Sequence, residues 1–150
     1  MPSEIAARLQ RDVVVAMKAR DKERLGVLRQ LQAALKQVEV DERRELDDPA
    51  VVKTLQAYAK KVRDTLASAE QAGREDLLAA ARRELTLVQG YLPAALDDAE
   101  LAALVDAAIA AVGAGGPQHM GKVMQAVMSQ VAGRAEGGRV SAMVKARLAG

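Results

Sequence analysis

No cysteine, phenylalanine or tryptophan occurs in the 150 residues, and two tyrosines are the whole aromatic complement. The missing cysteine excludes disulfides, thiolate metal sites and cysteine nucleophiles, and it fits a reducing compartment. The missing aromatics argue against recognition by stacking on splayed single-stranded bases. They also leave the core to Ala, Leu, Val and Met, with Ala the best helix former of all. No stretch alternates β-branched or aromatic residues with polar ones between turn signals, so strands are not expected. The N-terminal MPSEIAARLQ has no apolar signal core, and no run approaches the roughly 18 apolar residues of a membrane span. A cytoplasmic protein without membrane contact is the expectation.

What is present is helical period and punctuation, and both predict an all-α chain of about seven helices. Ser3 can cap a first helix that buries Ile5, Leu9, Val13 and Met17. Asp21 opens a second, with Leu25, Leu28, Leu31, Leu35 and Val38 on one face, and the charged run 41–48 frays or turns. Asp48 before Pro49 reads as the start of a third, because proline suits the first turn, where its missing N–H costs nothing. Its seam is Val52, Leu55, Ala59, Val62, Leu66 and Ala69, ending at Gly73 as a left-handed stop. A fourth carries Leu78, Ala81, Leu85, Val88 and Leu92 and closes around Tyr91, since Pro93 disfavours helix at Leu92.

The subdomain boundary falls there, giving a multihelical part over 1–92 and a three-helix C-terminal bundle over 93–150. Asp97 and Glu100 form a start box for the fifth helix. Gly113, Gly115, Gly116 and Pro117 break the chain, and Pro117 opens a sixth helix with Met120, Val123, Met124, Val127, Met128 and Val131. A last helix carries Val140, Met143, Val144 and Leu148.

Residues able to do chemistry are few. His119 is the only histidine, and its neighbours Gln118 and Met120 offer no metal site; it is a capping or solvated group, or a general base. None of the four serines sits in a nucleophile elbow, and Ser141 with Lys145 is the one Ser–Lys pair of helical spacing. Glu84 lies beside Arg82 and Arg83, an arrangement expected to give ion pairs along one helix. GAGGP lacks the Lys and the preceding strand of a phosphate loop and reads as a turn. No cofactor and no metal are expected.

Two features point to binding. The Met and Val stripe of 120–131 is either core or an exposed partner groove. Gly121, one turn into that helix, is costly for helix formation and implies close approach of another helix or of a ligand backbone. From Ala107 onward the bases Lys122, Arg134, Arg139, Lys145 and Arg147 face the single acid Glu136. A basic end with glycine turns suits phosphate contact, although a merely solvated face has the same composition.

MKARDKERLGVLRQLQAALKQVEV, AGREDLLAAARRELTLVQGYLP and MGKVMQAVMSQVAGRAEGGRVSAMVKARL follow one another in the order of the GatB/YqeY family's blocks, and the chain resembles a free-standing YqeY-like protein. The resemblance implies an all-helical N-terminal part and a three-helix tail. That tail is similar to the tail of the B subunit of the tRNA-dependent amidotransferase, which helps hold tRNA, and to a module appended to some glutaminyl-tRNA synthetases. The implied role is a non-catalytic tRNA-binding or tRNA-metabolism accessory. An aminoacyl-tRNA synthetase or amidotransferase is then a further partner.

The alternatives are a component of a glutamine-using carbon–nitrogen ligase and a protein–protein adaptor. Gly121, Lys122, Gly133 and Arg134 match the family's Gly–Lys and Gly–Arg–Ala positions, and with Arg139 and Lys145 they form the candidate nucleic-acid contacts. Tyr91, Leu92 and Pro93 match its hinge. Ser129 stands where Pro is common, which would loosen a turn, and Glu136 keeps the charge of the usual Asp. Arg29 and Arg74 match recurrent basic positions, read as anchors for helix ends.

Overall fold

The computed structural model describes residues 2–113, 115–131 and 133–149. Among them the chain is all-α, with seven helices, one 3-10 turn and no strand. It divides into two compact units, Met1–Pro93 and Ala94–Gly150, each with its own apolar core. No single helix among the described residues is long and apolar enough to cross a membrane.

The first unit holds α1 (Glu4–Lys18), α2 (Lys22–Glu42), α3 (Asp48–Gln71) and α4 (Glu75–Gln89). Ser3 and Asp21 cap α1 and α2, accepting the N–H groups of Ala6 and Arg24 at 3.0 and 3.1 Å. Between those helices Arg20 takes the left-handed conformation, with φ 56°. Paired bonds close the turn, from Arg20 N–H to the Met17 carbonyl and from Asp21 N–H to the Ala16 carbonyl. Gly73 ends α3 by the same device, as its sequence promised, at φ 67°. A non-glycine residue there costs roughly 1–2 kcal/mol, so Arg20 is the strained member of the two.

The cap of α3 is Asp47, not Asp48. Two carboxylates precede Pro49, and Asp47 takes the Ala50 N–H at 3.1 Å. Asp48 then lies in the first helical turn, where its carboxylate accepts the Ser3 hydroxyl and the Ile5 N–H. The start of α3 is thereby tied to the start of α1. The charged run turns rather than frays, and within it Leu46, absent from the expected core, is buried to 2% exposure. It joins Leu9, Leu28, Leu31, Leu35, Leu55 and Val88 in one cluster. Met17, expected inside, is half exposed. The fourth helix ends at Gln89, two residues before Tyr91. Polar ties run between helices: Arg83 pairs with Glu23, and the Tyr58 hydroxyl donates to Glu84. The ion pairing expected along one helix is therefore spent across two.

The second unit holds α5 (Asp98–Val112), α6 (Met120–Val131) and α7 (Gly137–Ala149), each packed on the other two. The Asp97–Glu100 box caps α5 as expected. Pro117 heads a 3-10 turn over 117–119, so α6 starts three residues later than expected, at Met120. His119 is a capping group, its Nδ1 accepting the Gly115 N–H at 3.3 Å. Val123, Val127 and Val131 are fully buried, with Met120 and Met124 packed against them, so the stripe is mainly core. Ser129 loosens no turn: it lies inside α6 and donates back to the Ala126 carbonyl at 2.8 Å.

Candidate nucleic-acid interface

The glycine-punctuated turn between α6 and α7 is built around Gly133, whose φ of 84° places Arg134 on the inner side of the bend. From there Arg134 holds the segment entering α5. Its carbonyl accepts the Leu96 N–H at 2.8 Å, and its guanidinium donates to the Ala94 carbonyl at 2.9 Å. Arg139 completes the clamp, donating to the Leu96 carbonyl and to Asp98, each at 2.7 Å. Arg147 reaches Asp106 at 3.1 Å. Three of the five cations in this unit are thus engaged within it, on groups some forty residues back along the chain.

Lys122 and Lys145 differ. Both are exposed, and neither has an acidic partner among the described residues. Lys122 sits in the first turn of α6. A five-residue connection returns α7 alongside α6, and α7 also contacts the 3-10 turn that precedes it. The far half of α7, with Lys145, therefore runs back toward the end of the bundle that carries Lys122. Gly121 is exposed, and a Cβ built there would meet nothing within 4 Å. No neighbouring helix explains this glycine, which corrects one of its two expected roles. What remains is an open backbone beside Lys122. Gly137 and Gly138 leave the first turn of α7 equally open.

The chain-wise impression of a basic end does not survive folding. Met1–Pro93 carries 17 of the 22 Lys and Arg and 15 of the 20 Asp and Glu, leaving five of each to Ala94–Gly150. The acidic segment 97–106 that precedes the basic end supplies Asp98 and Asp106, which the bundle brings to Arg139 and Arg147. A further group of cations, displayed in MKARDKER, lies at the α1–α2 corner. Of the other recurrent basic positions, Arg74 does anchor a helix end, flanking α4 and bonding Asp76 at 3.1 and 3.2 Å. That bond holds the Asp76 carboxyl below its ordinary range. Arg29 lies mid-helix in α2 and anchors no end.

Neither tyrosine is placed for acid–base chemistry. Burial first, then a hydrogen bond to a carboxylate, raises the phenol pKa of both Tyr58, beside Glu84, and Tyr91, beside Asp12. Both stay neutral donors throughout the working pH range. Tyr58 borders an open groove of about 720 Å³ between α2 and α3, floored by Ala34, Ala50 and Ala57 and edged by Lys53 and Lys61. Among the described residues, no three of His, Asp and Glu gather closely enough to hold a metal.

A family model described as Yqey-like protein matches residues 6–148. The altered inheritance of mitochondria protein 41, mitochondrial, of Pyrenophora tritici-repentis (strain Pt-1C-BFP) is 29% identical over 134 residues. The match covers 87% of this chain and 73% of that protein.

Proposed function

We propose, from the premise that this chain belongs to the YqeY-like protein family, that it is a tRNA-binding accessory module without catalytic chemistry of its own. The observation that carries the reading is the exposed first turn of α6, where Gly121 leaves open space and Lys122 has no acidic partner among the described residues. The start of α6 carries the positive end of the helix dipole, which favours a phosphate, while the Met120 N–H is taken by the Pro117 carbonyl of the preceding 3-10 turn. Glycine lets the phosphate chain approach closely, and Lys122 supplies a full charge beside it. Lys145 lies toward the same end of the bundle. Contacts of this kind fix a structured RNA by its backbone and shape and ask nothing of aromatic side chains.

Arg134 and Arg139 take a supporting part here. Their guanidinium groups hold the entry to α5 and so fix the turn from which α7 starts. Replacing Lys122 and Lys145 together with Ala is expected to weaken retention of tRNA about tenfold, the loss of two exposed ion contacts worth up to about 1 kcal/mol each. Helix content would stay unchanged. Equal retention by the double variant, or no retention of tRNA by the parent chain near physiological salt, overturns the reading.

A further inference from the structure

The α1–α2 corner combines two properties that the RNA surface does not use. Its first is unbalanced charge. Between residues 11 and 24 each acid is already engaged: Asp12 accepts the Tyr91 hydroxyl, Asp21 caps α2, and Glu23 takes Arg83. Arg11, Lys18, Arg20 and Lys22 are exposed and have no such partner among the described residues. Arg20 keeps its cation at a left-handed position that glycine would fill without strain.

The second property is exposed hydrocarbon. Val14, Val15 and Met17 are 39%, 63% and 50% exposed. They lie on the same two turns of α1 as Arg11 and Lys18, with Arg20 and Lys22 in the corner that follows, while Leu9, Val13 and Ala16 take the opposite, core-facing side of α1. Helical period puts Arg11, Val14, Val15 and Lys18 on one outward stripe.

We infer that this corner is a docking surface for an anionic lipid membrane, with the α1 stripe lying in the headgroup boundary. Phosphates of RNA would satisfy the four cations but leave the two valines and the methionine in water. An acidic lipid surface satisfies both, taking the apolar side chains at the acyl boundary while Arg and Lys extend their charges to the headgroups. The expected binding is reversible, since three short side chains give a weak anchor and the charges supply the rest.

The test is sedimentation of the full chain with phosphatidylcholine vesicles prepared with and without phosphatidylserine. Binding to the acidic vesicles alone is expected, falling with salt. Lys18→Glu with Lys22→Glu should lower it by about fivefold or more per position. Val14→Ser with Val15→Ser should lower it roughly tenfold at unchanged helix content. Lys60→Glu with Lys61→Glu, an equal change of net charge on α3, should leave it much less affected.

Absence of binding to acidic vesicles overturns the inference. So does a valine double variant that binds like the parent, or an α3 control that weakens binding as much as the corner variant. If the corner charges are needed for tRNA retention while no vesicle is bound, the surface belongs to nucleic acid and the lipid assignment fails. Failure at Lys122 and Lys145 in the tRNA experiment leaves this inference untouched.

Discussion

Asp48 shows how one side chain can link sequence-distant parts of a unit. Its carboxylate accepts the Ser3 hydroxyl first of all and then the Ile5 N–H, and these bonds hold its pKa below the ordinary 3.8. A depressed pKa means that the unfolded chain takes up the proton more readily than the folded one. The tie therefore contributes fully above about pH 4, and the contribution is lost as pH falls through the lowered value. Urea unfolding of the parent and of Asp48→Asn should show the parent more stable at neutral pH and the two converging at strongly acid pH. Parallel curves across that range would contradict the assignment. Arg139 makes the matching case in the second unit. Arg139→Ala leaves the part-buried Leu96 carbonyl without its donor and the exposed Asp98 to solvent, and it should cost about 1 kcal/mol in urea melts. A neutral result would return Arg139 to the free phosphate-contacting role that the sequence first gave it.

At the scale of elements, most helix limits were legible because their signals are local. Ser3, Asp21, Gly73 and the Asp97–Glu100 box do what their residue types and spacing imply. Asp47 was missed because two adjacent carboxylates before Pro49 serve the cap equally well in one dimension; the Ser3 contact to Asp48 distinguishes them only in three. Leu46 was missed because an isolated leucine in a charged run has no period to announce it. Pro117 starts a helical turn, yet the turn is 3-10 and α6 follows it.

Gly121 is the element-scale residue that separates stability from binding. Nothing stands where its Cβ would be, so Gly121→Ala should stabilise the second unit by about 0.5–1 kcal/mol through helix propensity. The same methyl should reduce tRNA retention, because it would occupy the open space at the proposed phosphate contact. Improved stability with unchanged tRNA binding would show that this glycine serves no RNA contact.

The whole molecule differs from its sequence most in the distribution of charge. A basic C-terminal stretch was readable, but its neutralisation was not, because Arg139–Asp98 and Arg147–Asp106 join residues 41 apart. The candidate site accordingly contracts from six residues to Lys122 and Lys145, unpaired among the described residues, with Gly121 beside Lys122, while Arg134, Arg139 and Gly133 shape the turn. The Ala94–Gly150 unit is electrically balanced overall, so the proposed RNA contact there depends on position rather than net charge.

The salt dependence of tRNA binding tests this account most directly. The logarithm of the association constant should fall linearly with the logarithm of salt concentration. Lys122→Ala with Lys145→Ala should make the slope shallower by about two, one released counterion for each lost phosphate contact. A slope unchanged by removing both lysines, or binding indifferent to salt, would contradict the assignment of this surface to RNA.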